Sequence, residues 1–336
     1  MPATRPLELY NPLMKDNAVS SNRPIQQTLA TYGGLLVAIL VLLGFFGVFA
    51  KNFLTTTTLL TMANSIPDIT VLAVGMTLVL IAGGIDLSVG SVLALSACFL
   101  GWLMVDLKLP LWLASLGAIA LGACCGGLNG WISSAFRIPA FIVTLGMLEI
   151  ARGSAYWITD SNTKYVGSSL GWFSDPIAPL GVSASFLIAA AVVLAGQWLL
   201  HQTVLGRLAV AIGTNAESVR MAGIRTTAPM VTLYAICGGL CGLAGMMQSS
   251  RLSTVDPNSG AGMELSAIAA CVIGGTSLRG GQGSVVRTFF GVLVISILQT
   301  GLAQLGATDP IKRIVTGGVI ILSVLLDSLR KQSAIR

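Results

Sequence analysis

Few side chains in this sequence are placed to do chemistry, and the most distinctive are ionisable groups that interrupt long apolar runs. Asp86 lies within Ala82-Gly83-Gly84-Ile85-Asp86-Leu87-Ser88-Val89-Gly90-Ser91. A carboxylate at membrane depth is costly, so it defaults to a functional role. In a glycine break it could accept hydrogen bonds from a hydroxylated substrate or from backbone amides. Equally, it could cap the helix that begins near Ser88. Glu149 and Arg152 stand three apart on one helical face. They are expected to form a structural intramembrane ion pair rather than a proton relay. His201, the single histidine, is expected at the interfacial end of a span.

The remaining reaction classes have little to build on. There is no Gly-x-x-x-x-Gly-Lys-Ser/Thr loop for a nucleotide and no Gly-x-Ser-x-Gly elbow. With one imidazole there is no Ser-His-Asp set. No catalytic residue and no cofactor are assigned, and the chain does not read as an enzyme. The six cysteines (Cys98, Cys124, Cys125, Cys237, Cys241 and Cys271) all fall inside apolar runs without a Cys-x-x-Cys pair. They read as small packing residues, so no metal site is expected.

A second signature is structural. Thr214-Asn215-Ala216-Glu217-Ser218-Val219-Arg220-Met221-Ala222-Gly223 carries both ends of a short helix. Thr214 offers an N-cap hydroxyl, and Glu217 three residues on would complete a capping box. Gly223 stands where a left-handed C-cap is needed, and Arg220 lies in the last turn, where a cation suits the dipole. So short a helix is marginal in water. Thr214, Asn215, Glu217, Arg220 and Gly223 are therefore expected to be held against another molecule. Because the chain has no nucleotide loop of its own, that molecule is expected to be a separate motor subunit.

The elements that must position these residues follow from composition. Of 336 residues, 54% are hydrophobic and 10% charged, against about 25% charged in ordinary soluble domains. This predicts an all-α integral membrane protein. Runs at 30–50, 66–84, 88–105, 111–133, 138–158, 183–200, 229–250, 264–278, 284–304 and 311–327 give about ten transmembrane helices, some broken. Residues 1–29 form a polar N-terminal tail, 331–336 a short C-terminal tail, and 159–182 the longest outside loop. With both termini cytoplasmic, 12 of the 19 cations lie inside, as the positive-inside rule prefers. The polar helix then lies on the cytoplasmic side. No basic cluster is interleaved with aromatics, so nucleic acid is not an expected partner. Gly122 with Gly126 and Gly238 with Gly242 are four apart and read as helix-packing contacts.

The break at Asp86 has a counterpart, Ile273-Gly274-Gly275-Thr276-Ser277-Leu278-Arg279-Gly280-Gly281-Gln282-Gly283-Ser284. Irregular backbone at membrane depth is tolerated where protein buries it or a wet cavity receives it. Gly83, Gly84, Asp86, Ser88, Gly274, Gly275, Thr276 and Ser277 are therefore candidates to line a substrate path. The alternative is two ordinary cytoplasmic turns.

Three of these stretches resemble a known family: Gly83 to Ser91, Arg137-Ile138-Pro139-Ala140-Phe141-Ile142-Val143-Thr144-Leu145-Gly146-Met147, and Glu264 to Ser284. They are similar to the permease subunits of ribose-type ABC sugar importers, and the likeness runs from about 52 to 330. Gly206-Arg207, Gly213 to Glu217 and Ala222-Gly223-Ile224 resemble the cytoplasmic loop of those permeases that touches the ATPase. Ser218 and Val219 stand where ABC importers generally have alanines, and Arg279 stands where a small residue is expected. The resemblance implies a permease domain at 30–330 with a coupling loop at 201–228. It also implies a second permease copy or paralogue, a cytoplasmic ABC ATPase that uses the ATP, and a periplasmic sugar-binding protein. The setting would be the bacterial inner membrane and the cargo a pentose, hexose or related polyol. The rival readings are an ion-coupled secondary carrier and an ABC permease for branched-chain amino acids.

Overall fold

The computed structural model describes residues 23–333, so most of the N-terminal tail and the last three residues of the C-terminal tail lie outside the described residues. Two bent or peripheral helices open the chain: α1 (Arg23–Phe49) and α2 (Thr56–Ser65), the latter leading into α3 (Pro67–Ile81). There follow α4 (Val89–Gly101), α5 (Leu111–Phe136), α6 (Ala140–Ile158), the single turn α7 (Gly171–Ser174) and α8 (Ala184–Gln202). Then come α9 (Val204–Met221), α10 (Thr227–Leu252), α11 (Met263–Ile273), α12 (Val285–Gln304) and α13 (Asp309–Ser333). A two-residue antiparallel pair, β1 (Lys164–Tyr165) with β2 (Thr254–Val255), ties the long loop to the end of α10.

Helix limits follow the apolar runs within a few residues, with physical reasons for the differences. α1 is described from Arg23 and so reaches into the expected polar tail, where Arg23–Ala30 contains nothing that stops a helix after Pro24. α2 was not expected at all. It is short, rich in threonine and capped by Thr55, whose hydroxyl accepts from the Thr58 amide at 3.3 Å. Pro67 then starts α3 at a bend of 47°.

Among the described residues, six helices are long and apolar enough to cross a membrane, seven if α2 and α3 count as one bent span. That is fewer than the ten expected on apolar runs alone. α11 has only 11 residues, and α13 carries Asp309, Lys312, Arg313, Asp327, Arg330 and Lys331 among its 25.

The centre of the bundle is α3, α4 and α10. Fourteen of the 15 residues of α3 are buried, the pattern of a helix surrounded by protein rather than lipid. Hydroxyls tie it to its neighbours: Thr77 Oγ1 lies 2.8 Å from Thr288 Oγ1 of α12 and 3.3 Å from Cys271 Sγ of α11. At the N-terminal end of α3, Asp68 accepts from Arg251 of α10 at 2.7 Å and is buried.

The closest contact is α5 against α10. Gly122, Gly126 and Gly130 on one helix meet Tyr234, Gly238 and Gly242 on the other, backbone to backbone. A methyl group at Gly238 would collide with the Gly122 carbonyl, and one at Gly126 with the Tyr234 carbonyl. Small residues at these positions let the helices approach so closely that dispersion and weak polar contacts accumulate along the crossing.

Gly238→Val should therefore cost about 3 kcal/mol or more, since backbone cannot move aside as a side chain can. Gly44→Ala, which points into open space on α1, should cost little. Thermal unfolding in detergent compares the two, and an unchanged midpoint for Gly238→Val would refute this account of the contact.

Candidate functional site

The two glycine breaks have the same backbone solution. At the end of α3 the Gly83 amide donates to Leu80 O at 2.9 Å and the Gly84 amide to Val79 O at 3.0 Å, with Gly83 at φ +82°. At the end of α11 the Gly275 amide donates to Val272 O at 2.8 Å and the Thr276 amide to Cys271 O at 2.9 Å, with Gly275 at φ +79°. Each is a Schellman cap, in which a left-handed glycine lets two amides reclaim carbonyls that the helix end would orphan. Gly83 and Gly275 are exposed, whereas Gly84, Ser88, Gly274 and Thr276 are buried. Ser277 caps the following turn by accepting from the Arg279 amide at 3.2 Å. Arg279 itself is exposed at the tip of that turn, which accounts for a charge there.

Asp86 is closed in. Its Oδ1 accepts from the Ser88 amide at 2.9 Å and the Ser88 hydroxyl at 2.6 Å, and the residue is 2% exposed. Asn129 of α5 donates to Ser88 Oγ at 3.0 Å. Thr144 of α6 donates to Ile85 O and accepts from the Leu87 amide, both at 3.1 Å. Two helices thus hold the break by side-chain bonds, and the carboxylate closes the turn that launches α4. This geometry is that of a cap. Tyr234 of α10 is fully buried against Gly84, where a methyl group would strike its hydroxyl. Sequence reasoning missed Asn129, Thr144 and Tyr234. The available signal was a polar residue inside each of three apolar runs.

The ion pair expected between Glu149 and Arg152 is absent from the described residues. Arg152 instead donates to the backbone carbonyls of Pro257 and, at 2.8 Å, Ser259 in the loop after β2. Glu149 is exposed on the outer face of α6. Three residues of separation made the pair possible, but loop carbonyls more than a hundred residues further along the chain offered Arg152 a better-seated acceptor set.

The polar helix exists, with its cap displaced by one residue. α9 runs unbroken to Thr214, whose hydroxyl donates to Val210 O at 2.8 Å. The chain then kinks at Asn215 (φ −160°, ψ 95°), and Asn215 Oδ1 accepts from the Ser218 amide at 3.0 Å. Asn215 is therefore the N-cap, and Thr214 belongs to the preceding helix. Glu217 makes no capping box. It pairs with Arg220, whose Nε donates at 3.1 Å, and this bond holds the Glu217 carboxyl below its ordinary range. Gly223 has φ +81°, and its amide and that of Ile224 return to Arg220 O and Val219 O at 2.9 and 3.3 Å. The helix end is thus a third Schellman cap.

Tertiary structure brings these separate motifs into one junction. Ile81 O, at the end of α3, accepts from the Gly281 amide at 2.8 Å. Gly213, just before the kink, lies across both: a methyl group there would collide with Ile81 O and fall 2.6 Å from the Gly281 nitrogen. One at Gly280 would fall 2.9 Å from the Cα atoms of both Gly83 and Gly213. The end of α3, the α9 kink and the turn before α12 therefore touch through bare backbone. A displacement of the exposed helix has a direct, side-chain-free connection to both breaks.

A bundle of apolar helices with a capped polar segment fixed to its core helices has the build of a membrane transport permease. The chain belongs to the family described as branched-chain amino acid transport system / permease component, whose model matches residues 58–324. It is 39% identical over 301 residues to the ribose import permease protein RbsC of Escherichia coli (strain K12), covering 88% of this chain and 93% of that one. It is 36% identical to the RbsC protein of Bacillus subtilis (strain 168), covering 92% and 95%. To the fructose import permease protein FrcC of Rhizobium meliloti it is 29% identical, covering 89% and 86%. No solved structure matches the chain.

Asp86→Asn should retain uptake within about twofold, because the amide oxygen still caps the turn. Lost uptake with normal membrane abundance would instead place the carboxylate on the route. Gly213→Ala should lower uptake by at least about tenfold, since the junction must open to admit a methyl group. Uptake by membrane vesicles, with an immunoblot for permease level, reads both, and wild-type uptake in Gly213→Ala would remove the junction from the mechanism.

Proposed function

We propose that this chain is the membrane permease subunit of an ABC importer for a monosaccharide or related polyol. It would work in a bacterial inner membrane with a cytoplasmic ABC ATPase and a periplasmic sugar-binding protein. The observation that carries this reading is the backbone junction joining the exposed helix at Asn215 to Gly223 with the breaks at Gly83 and Gly280. A partner that moves the helix would move the end of α3 and the turn before α12 with it. The sugar relatives, alike over nearly the whole chain, support the substrate class.

In this reading the chain crosses the membrane ten times with both termini cytoplasmic, α2 with α3 making one crossing and α11 a short one. A second copy or paralogue covers the outer face of α6. That face exposes Glu149 beside Gly146 and Gly153, at whose Cβ positions there is open space. A carboxylate facing hydrocarbon would be costly, so protein or water is its expected neighbour.

The same exposed Glu149 is the one feature that favours an ion-coupled carrier, which would need such an unpaired carboxylate. The family description in turn favours branched-chain amino acids. One experiment separates all three readings. Vesicles holding the permease, ATPase and binding protein should take up labelled ribose or fructose only with ATP, and Glu149→Gln should keep that dependence. Uptake driven by a proton gradient without ATP would establish the carrier, and preferential uptake of leucine the amino-acid permease.

A further inference from the structure

Beside the polar helix lies a cavity of about 360 Å³, lined by Arg137, Arg220, Arg225, Thr226, Thr227 and Ser134 among others. Three guanidinium groups border it, against one nearby carboxylate, Glu217, which Arg220 already holds. Neither Arg137 nor Arg225 forms an ion pair with a carboxylate among the described residues, although Glu217 feels the charge of Arg137 from a distance. α5 and the α9 segment both end at the cavity, and the partial negative charge of those helix ends is offset by Arg137 and Arg220. Arg225 remains in excess. The 26-residue helix α10 begins there at Thr227, and its N-cap Thr226 makes no side-chain cap, so amides of its first turn add to the positive potential.

An independent feature fixes the depth of this cavity. Trp131 and Phe136, on the last turns of α5, stand edge to face at 5.7 Å and are 49% and 63% exposed. Large exposed aromatics at the end of an apolar helix mark the level of lipid headgroups. Arg137 follows Phe136 directly, so the arginines sit where the polar and apolar layers meet.

We propose that this cavity binds the phosphate group of an anionic phospholipid, with its acyl chains along the Trp131–Phe136 face. Arg137 and Arg225 supply bidentate charge-assisted bonds to the phosphate oxygens, and the threonine hydroxyls can donate as well. Because Arg220 and Gly223 belong to both the cavity and the polar helix, bound lipid would brace that helix. The charge of the surrounding leaflet would then set how firmly the helix is held.

The test compares the full-length permease with the Arg137→Gln/Arg225→Gln variant, both purified in micelles containing phosphatidylglycerol and phosphatidylcholine. Native mass spectrometry counts the lipids retained. The wild type should retain phosphatidylglycerol in preference, and the variant should lose about fivefold in apparent affinity for each arginine removed. Arg207→Gln, an exposed arginine early in α9, should retain it normally, which separates this cavity from general surface charge. A parallel titration of the lipid-free chain with inorganic phosphate identifies the source of the anion. Binding of inorganic phosphate without selectivity for phosphatidylglycerol would overturn the lipid assignment. Equal retention by wild type and double variant would overturn the site.

Discussion

Backbone groups in a membrane must find their partners within the protein, and two helices can approach only as closely as their side chains allow. This chain meets both demands by removing side chains where segments cross. α5 and α10 touch through Gly122, Gly126, Gly238 and Gly242, and α3, α9 and the turn before α12 touch through Gly83, Gly213, Gly280 and Gly281. The two contacts are linked by one residue. The Tyr234 carbonyl rests on Gly126, while its ring reaches Gly84 beside the first break. The position of that break therefore depends on how closely α5 and α10 cross.

The same economy governs how helices stop. Gly83, Gly223 and Gly275 each end a helix in the same left-handed cap, which turns the chain sharply without leaving carbonyls unpaired. Sharp termination is what allows three chain segments to converge on Ile81 O. A helix that frayed there would present side chains and water instead of a fixed backbone surface. In the function proposed above, transmission from the ATPase to the core would need no relay of side chains, because the contacting atoms belong to the main chain.

Ionisable groups near the bundle are settled by whatever acceptor or donor is best placed in three dimensions. Asp86 takes Ser88 two residues on, Asp68 takes Arg251 from another helix, and Arg152 takes loop carbonyls rather than Glu149. Glu149, left without Arg152, is exposed on α6. At the polar end, Arg137 and Arg225 form no ion pair among the described residues, and the exposed Trp131 and Phe136 stand just before Arg137 in the chain.

Much was legible in the sequence because it is local. Apolar runs set most helices to within a few residues, and Gly223 could be read as a left-handed cap from its place after Arg220. The likeness between the two glycine breaks was visible too, since a Schellman cap is written in consecutive residues. Distances across the chain were not. Thr214 and Asn215 are both competent caps, and the choice fell to Asn215 because α9 continues through Thr214, which donates back to Val210. Glu149 and Arg152 had suitable spacing, yet spacing says nothing of carbonyls more than a hundred residues away. That the breaks and the polar helix form one junction was decided only by tertiary structure. The sequence marks each glycine as permissive, but a close backbone approach needs a second segment, and only the folded chain supplies it.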